Sequence, residues 1–238
     1  MSKTAHHELT RKEMKGPDKF QVAATEAAAW ASTRRRQIVF AGVGAVVVLA
    51  AVLAFSAYLE SQRASAGGLL YRAIDAASGE VSSIPLPGVD RIYKSSEEKQ
   101  RAVLEAAGAV RERHGASRAA ATAALLQGDA HLALGEWDKA IASYQTFLDK
   151  ASSDDSLRFG GLDGLARAQE GKGDLAAAAA TYERAAQIDF YRDRAALERA
   201  RVLVKAGKKD EALKALEGVG KDSPLSVEAQ ERLARLGK

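Results

Sequence analysis

The chain contains no cysteine. Disulfides and thiolate metal sites are excluded, and cysteine usage leaves the redox compartment open. Proline is scarce, with only Pro17, Pro85, Pro87 and Pro224. Long stretches are therefore free of the strongest helix breaker. Past residue 60 there is almost no strand-like alternation, and alanine abounds. An excess of charge is missing too, except at one end. Residues 1–36 hold eight Lys/Arg and four Asp/Glu, which accounts for the whole net charge of +4. Residues 37–59 carry none, and the remainder balances. A nucleic-acid domain would carry its basic excess on its folded part, so the pI near 9.2 does not point to one. With 238 residues the chain can bury a core and form one or two domains.

What is there begins with RRRQIVFAGVGAVVVL, from Arg34 to Leu49. Residues 37–59 are 23 positions without a charge. As a helix they would extend about 34 Å, enough to cross a hydrocarbon core of about 30 Å. A cleaved secretory signal is shorter and lies nearer the start, although Ala64-Ser65-Ala66 has the small-x-small look of a cleavage site. Gly42-Val43-Gly44 invites a dinucleotide loop, but Val47 stands where the third glycine belongs. Ala41/Ala45 and Ala50/Ala54 give small-xxx-small spacing, suited to packing against another span. Lys19, Arg34, Arg35 and Arg36 precede the run, whereas only Arg63 and Arg72 closely follow it. The positive-inside rule then places residues 1–36 in the cytoplasm and residues 60–238 on the far side, with Tyr58 as an interfacial anchor. The 1–36 tail reads as largely disordered, with a short amphipathic helix possible over Phe20 to Ala31.

The body reads as helices. Leu69, Leu70, Ala73 and Ala77 recur at helical spacing up to Ser78-Gly79. Ile84-Pro85-Leu86-Pro87-Gly88 predicts a loop over Val81 to Tyr93. Ser95 and Glu98 have capping-box spacing and open a helix that ends near Gly115. Three later segments align: LLQGDAHLALGEWDKAIASYQTFL, GLARAQEGKGDLAAAAATYERAA and ERARVLVKAGKKDEALKALEGV. Each predicts a helix, a glycine turn and a second helix. The turn glycines Gly135, Gly173 and Gly207 are 38 and 34 residues apart, and Ala140, Ala178 and Ala212 repeat those separations. A 34-residue period with one four-residue insertion near Ser152–Ser156 resembles the tetratricopeptide repeat (TPR).

Small residues fall where each helix pair crosses: Gly128, Ala166 and Ala200 against Ala140, Ala178 and Ala212. Tyr144, Tyr182 and Leu216 fill the gaps between pairs, and a last helix follows Pro224 as a cap. The departures from the repeat pattern are Gln127 and Arg199 for large apolar residues, Phe147 for a small one, and Ser152 and Phe190 for the closing proline.

No catalytic constellation emerges, and neither a metal nor a cofactor site is expected. His6-His7 lacks a nearby third ligand, His114 falls at a helix C-terminus, and His131 falls at a packing position between repeats. Glu97-Glu98 and Asp154-Asp155 suit helix starts, and Trp137 suits packing beside the turn glycine. The TPR resemblance implies a concave face lined by first helices. Its residues here would be Asp129, Leu132, Asp163, Arg167, Glu170, Arg194, Leu197, Glu198, Arg201 and Lys205. Leu125 and Asp129 stand where carboxylate-clamp TPRs have lysine and asparagine, which speaks against such a clamp. The charged residues also have a blander use, pairing along helices as Arg194 with Glu198 or Glu198 with Arg201.

The fold expected is thus all-α: one transmembrane helix, then a TPR-like solenoid of antiparallel helix pairs. The expected segments are a 1–36 tail, a 37–59 span and a 60–115 degenerate first repeat, followed by three repeats over 116–223 and a cap over 224–238. This order, with the DKFQVAATEAAAW lead-in and Leu70-Tyr71-Arg72-Ala73-Ile74 beyond the span, resembles the YfgM-type ancillary subunits of the SecYEG translocon. That resemblance implies a bacterial inner-membrane protein with a periplasmic TPR domain. It would be a non-enzymatic adaptor or chaperone whose partners are translocon subunits, a membrane-anchored periplasmic folding factor and exported chains. The alternative is a TPR scaffold of another envelope machine, for cell division or outer-membrane assembly.

Overall fold

The computed structural model describes residues 19–84, 87–88 and 90–237. His6 and His7, and the first half of the 1–36 tail expected to be largely disordered, lie outside these residues. The chain divides into two compact units, one through Glu60 and one from Ser61 onward.

In the first unit, α1 spans Lys19–Thr33, where the sequence offered a short helix over Phe20 to Ala31. Alanines at six of its fifteen positions favour that outcome. A turn at Arg34 precedes α2, and the Arg34 guanidinium lies 5.2 Å from the Trp30 ring centre. Helix α2 spans Arg35–Ser78 without a break. The expected 37–59 span and the juxtamembrane helix are therefore one element. Gly42 and Gly44 lie inside it, so they form no phosphate loop. Among the described residues it is one helix long and apolar enough to cross a membrane. Over residues 37–59 its apolar side chains are exposed all round, including Phe40, Val46, Leu53 and Phe55.

The second unit begins with the later turns of α2. Two-residue strands β1 (Glu80–Val81) and β2 (Ile92–Tyr93) pair in parallel where the sequence predicted only a loop. The prolines exclude a helix but leave extended pairing open. Tyr93 closes against Gly79, where an added Cβ would stand 2.6 Å from the ring. Helix α3 (Ser96–His114) starts on the expected cap: the Glu98 amide donates to Ser95 Oγ at 3.1 Å. The Glu98 carboxylate accepts from the Lys94 amide, one residue earlier than in a capping box. Ala73 of α2, with Ala107 and Val110 of α3, packs toward Ala123 of the next helix.

Three helix pairs follow: α4 (Arg118–Ala133) with α5 (Trp137–Lys150), α6 (Arg158–Lys172) with α7 (Leu175–Ala185), and α8 (Arg192–Lys205) with α9 (Lys209–Glu217). Their turns are too short for anything but antiparallel pairing. Gly135, Gly173 and Gly207 have φ of 71°, 91° and 74°. That left-handed conformation suits glycine, which lacks the Cβ that would clash there. Ala140, Ala178 and Ala212 are fully buried at the crossings. Tyr144, Tyr182 and Leu216 fill the spaces between helices. Helix α10 (Ser226–Leu236) closes the stack, laced by Glu228–Arg232 and Glu231–Arg235 pairs.

The departures from the repeat pattern have local causes. Phe147 is buried because Gly161 faces it, and a Cβ there would come 2.5 Å from the ring. Gln127 accepts from Arg111 of α3, and Arg199 pairs with Glu183 at 3.2 Å. Phe190, in place of a closing proline, sits in a 3-10 turn over Asp189–Tyr191 and is 88% exposed.

Candidate functional site

A groove of about 450 Å³ runs along the first helices of the three pairs. Leu132 of α4 contributes, then Asp163, Arg167 and Glu170 of α6, then Arg194, Glu198, Arg201 and Lys205 of α8. Eight of the ten residues expected on the concave face thus line one space. Helical spacing explains this: within α6 and within α8 the residues recur three, four or seven apart and share a stripe.

Two expected residues stand apart. Leu197 is 1% exposed and belongs to the core with Tyr182, Leu203 and Leu216, so its placement on the groove is corrected. It occupies the repeat position of Leu125 and Asp163. At the border between core and groove, the apolar leucines turn inward and the aspartate stays wet. Asp129 is not in the groove wall; its Oδ1 accepts from the Tyr144 hydroxyl at 2.6 Å. Although Asp129 keeps an exposed face, crowding of its carboxyl raises its pKa, with the Tyr144 hydroxyl pulling the other way. Asp163 accepts from the Tyr182 hydroxyl at 3.1 Å in a related manner. Burial pushes both tyrosine hydroxyls well up.

Three further residues complete the wall: Trp137, Gly171 and Tyr182. Trp137 lies on Gly171 so closely that an added Cβ would stand 2.7 Å from the ring. The signal for this was present in the sequence as a tryptophan beside one turn and a glycine just before the next. It read as packing, which it is, but the same ring also faces the groove.

The groove's charge is organised around Glu170. Arg201 grips it with two guanidinium nitrogens at 2.8 and 2.7 Å, and Lys205 donates at 3.2 Å. These donors, Arg201 first, hold the Glu170 carboxyl down to about 2. Arg201 Nε also donates to Glu198 at 2.8 Å. The expected pairing along the helix is therefore present, with a cross-repeat fork added to it. Arg167 and Arg194 are held less firmly. Their nearest acids, Asp163 and Glu198, lie at 4.0 and 3.6 Å, beyond hydrogen-bond reach.

Histidines outside the groove have ordinary partners: His131 meets Glu136 at 2.6 Å and His114 meets Ser65 at 3.1 Å. Asp155 accepts from the Leu157 amide at the entry to α6, a start-of-helix role. Among the described residues no group of three metal-binding side chains comes together. The groove offers paired charges, spare guanidinium donors and an apolar wall. Those groups can hold a chain in place.

A family model described as tetratricopeptide repeat matches residues 122–153, covering most of α4 and α5 and the turn after them. No curated protein matches the chain. Among solved structures, the Podosopora anserina putative kinesin light chain with nearly identical TPR-like repeats is similar at 18% identity. That likeness covers 58% of this chain and 77% of that one, with a TM-score of 0.48. The helix pairs and the matched repeat together make this a TPR-like helical solenoid, and TPR repeats are protein–protein interaction modules.

Proposed function

We propose that the chain is a membrane-anchored adaptor that holds segments of protein partners in the groove between α4, α6 and α8. In this reading residues 37–59 of α2 cross the bacterial inner membrane, with Arg34, Arg35 and Arg36 on the cytoplasmic side and the repeats in the periplasm. The partners are translocon subunits, a membrane-anchored folding factor and newly exported chains, as the resemblance to YfgM-type subunits implies. The observation that carries the reading is the groove itself. Successive first helices present one continuous surface of spare donors and apolar wall. The all-round exposure of apolar side chains over residues 37–59 supports the anchor, because water does not tolerate such a stretch of helix bare.

A photo-crosslinker in place of Lys205 tests this in living cells. Recovery of translocon subunits or exporting chains supports the proposal. Repeated recovery of cell-division or outer-membrane assembly proteins, with septal or polar clustering, replaces it by the scaffold reading. A reporter fused after Lys238 tests topology, and activity of a reporter that works only in the cytoplasm overturns the orientation.

A further inference from the structure

We infer that the groove selects an extended partner segment carrying an internal acidic side chain, held by Arg167 and Arg194, with an apolar residue against Leu132 and Trp137. This rests on the groove being the partner site. The groove wall contains four cations, Arg167, Arg194, Arg201 and Lys205, and three acids, Asp163, Glu170 and Glu198. The acids are already engaged. Glu170 is saturated by Arg201 and Lys205, Glu198 accepts from Arg201, and Asp163 accepts from Tyr182.

The cations are not used equally. Arg167 and Arg194 are 59% and 60% exposed in their side chains, and neither donates a hydrogen bond to another described residue within the chain. Each guanidinium offers a planar fork of donors suited to a carboxylate. A basic side chain entering here would meet cations whose neutralising acids are spoken for. An acidic one would complete two unfilled forks. A chain-end carboxylate is disfavoured, since Leu125 is buried and Asp129 is committed to Tyr144.

The register follows from the order of the repeats. The apolar wall comes from the first pair, and the spare arginines come from the second and third. Neighbouring helices pack about 8–10 Å apart, and an extended chain rises about 3.3 Å per residue. The first step, from the apolar wall of the first pair to Arg167 on the second, therefore spans about three residues, which sets the acidic residue about three positions from the apolar one.

The test uses the full chain in detergent with Trp30→Phe, which leaves Trp137 as the single tryptophan. Three Gly/Ser decapeptides, acetylated and amidated, are titrated while Trp137 emission is read. One carries Leu and, three residues on, Glu; the second replaces Glu by Lys; the third replaces Leu by Ala. The Leu/Glu peptide is expected to bind at least about tenfold more tightly than the Leu/Lys peptide, a difference of about 1.4 kcal/mol. Arg167→Gln with Arg194→Gln should erase that preference while the helical circular dichroism stays unchanged. Arg167→Glu with Arg194→Glu should reverse it. Equal binding of the Glu and Lys peptides overturns the acid preference and leaves the groove reading intact. No response to any of the three peptides also overturns the inference. The groove reading itself then stands or falls on the crosslinks from position 205.

Discussion

Gly164 should tolerate no side chain, even though it lies inside a helix where alanine is intrinsically better. A Cβ built on Gly164 would stand 2.3 Å from Tyr144 Cζ and 2.5 Å from Cε1. Ordinary carbon contacts are about 3.5–4.0 Å, so the intrusion exceeds 1 Å by about any measure of contact. The ring has nowhere to go. On its other side Gly128 leaves room only for hydrogen, with a Cβ there 2.7 Å from the ring. The hydroxyl is tied to Asp129 at 2.6 Å, and the whole side chain is buried. Relief requires α6 to move off α5, which opens the interface between the first and second pairs. Overpacking of this kind costs about 1–3 kcal/mol, and a rigid ring pinned on both sides belongs at the upper end. Replacing a helical glycine returns about 1 kcal/mol. The expected net loss for Gly164→Ala is about 2 kcal/mol, or a midpoint lower by about 4–8 °C. Gly160→Ala is the control, on the same helix but with nothing within 4 Å of an added Cβ. It should gain up to about 1 kcal/mol. The assay is thermal unfolding of the full chain in detergent, followed by Trp137 fluorescence in the Trp30→Phe background. Adding Tyr144→Leu to Gly164→Ala should give a loss smaller than the sum of the two single losses, since one collision underlies both. A Gly164→Ala protein that melts at or above its parent refutes the packing argument.

Glu170 contributes stability that is present above its unfolded value near 4.5 and is lost as pH falls through about 2. Because Arg201 and Lys205 are partly exposed, screening reduces the effect of Glu170→Gln to about 1 kcal/mol at neutral pH; unfolding curves of variant and parent should converge toward pH 2. Asp129 has the opposite sign: its raised carboxyl makes the fold lose stability as pH climbs from about 3.8 through its folded value. Tyr144→Phe removes the hydroxyl that holds it down, so carbon NMR of the Asp129 carboxyl should show titration at higher pH, and an unchanged or lower value counts against the assigned hydrogen bond. Gly173→Ala forces a side chain into φ of 91° and should cost about 1–2 kcal/mol by chemical denaturation, whereas a neutral result would mean that the turn re-forms differently.

Much of this architecture is written locally, and those parts were legible. A glycine that turns left-handed must recur once per pair, and it does at Gly135, Gly173 and Gly207. An alanine that lets helices cross must recur likewise, and Ala140, Ala178 and Ala212 do. The groove stripe was legible for the same reason, because helical spacing alone puts Arg194, Glu198, Arg201 and Lys205 on one side of α8. Leu197 was misplaced because a repeat position carries a location but not a burial; the side chain's own polarity decides on which side of the border it settles. The fork from Arg201 to Glu170 spans 31 residues and obeys no spacing rule, so only the folded stack reveals it. The β1–β2 pairing involves two residues on each strand, too few to leave an alternating pattern.

The apparent wear in these repeats also has an order that no single repeat displays. Tyr144 needs Gly128 and Gly164, Phe147 needs Gly161, and Trp137 needs Gly171. Each pairs an aromatic of α5 with a glycine of α6, and Gly128 adds one from α4. A side chain added on one side would collide with the ring on the other, which is why Phe147 fits where the repeat pattern has a small residue. The next junction is built differently. Helix α8 contains no glycine, and the first helices of the second and third pairs are joined across the groove by the Arg201–Glu170 fork and Lys205. Lys172 also reaches Asp138 between the first two pairs, and an apolar core also joins the second and third, but the close aromatic–glycine fits belong to the first joint and the three-group charge cluster to the second. The charged joint is the part that carries the spare arginines of the groove. A segment entering there meets groups held by solvent-accessible ion pairs, which can shift to meet it, beside an apolar wall that cannot.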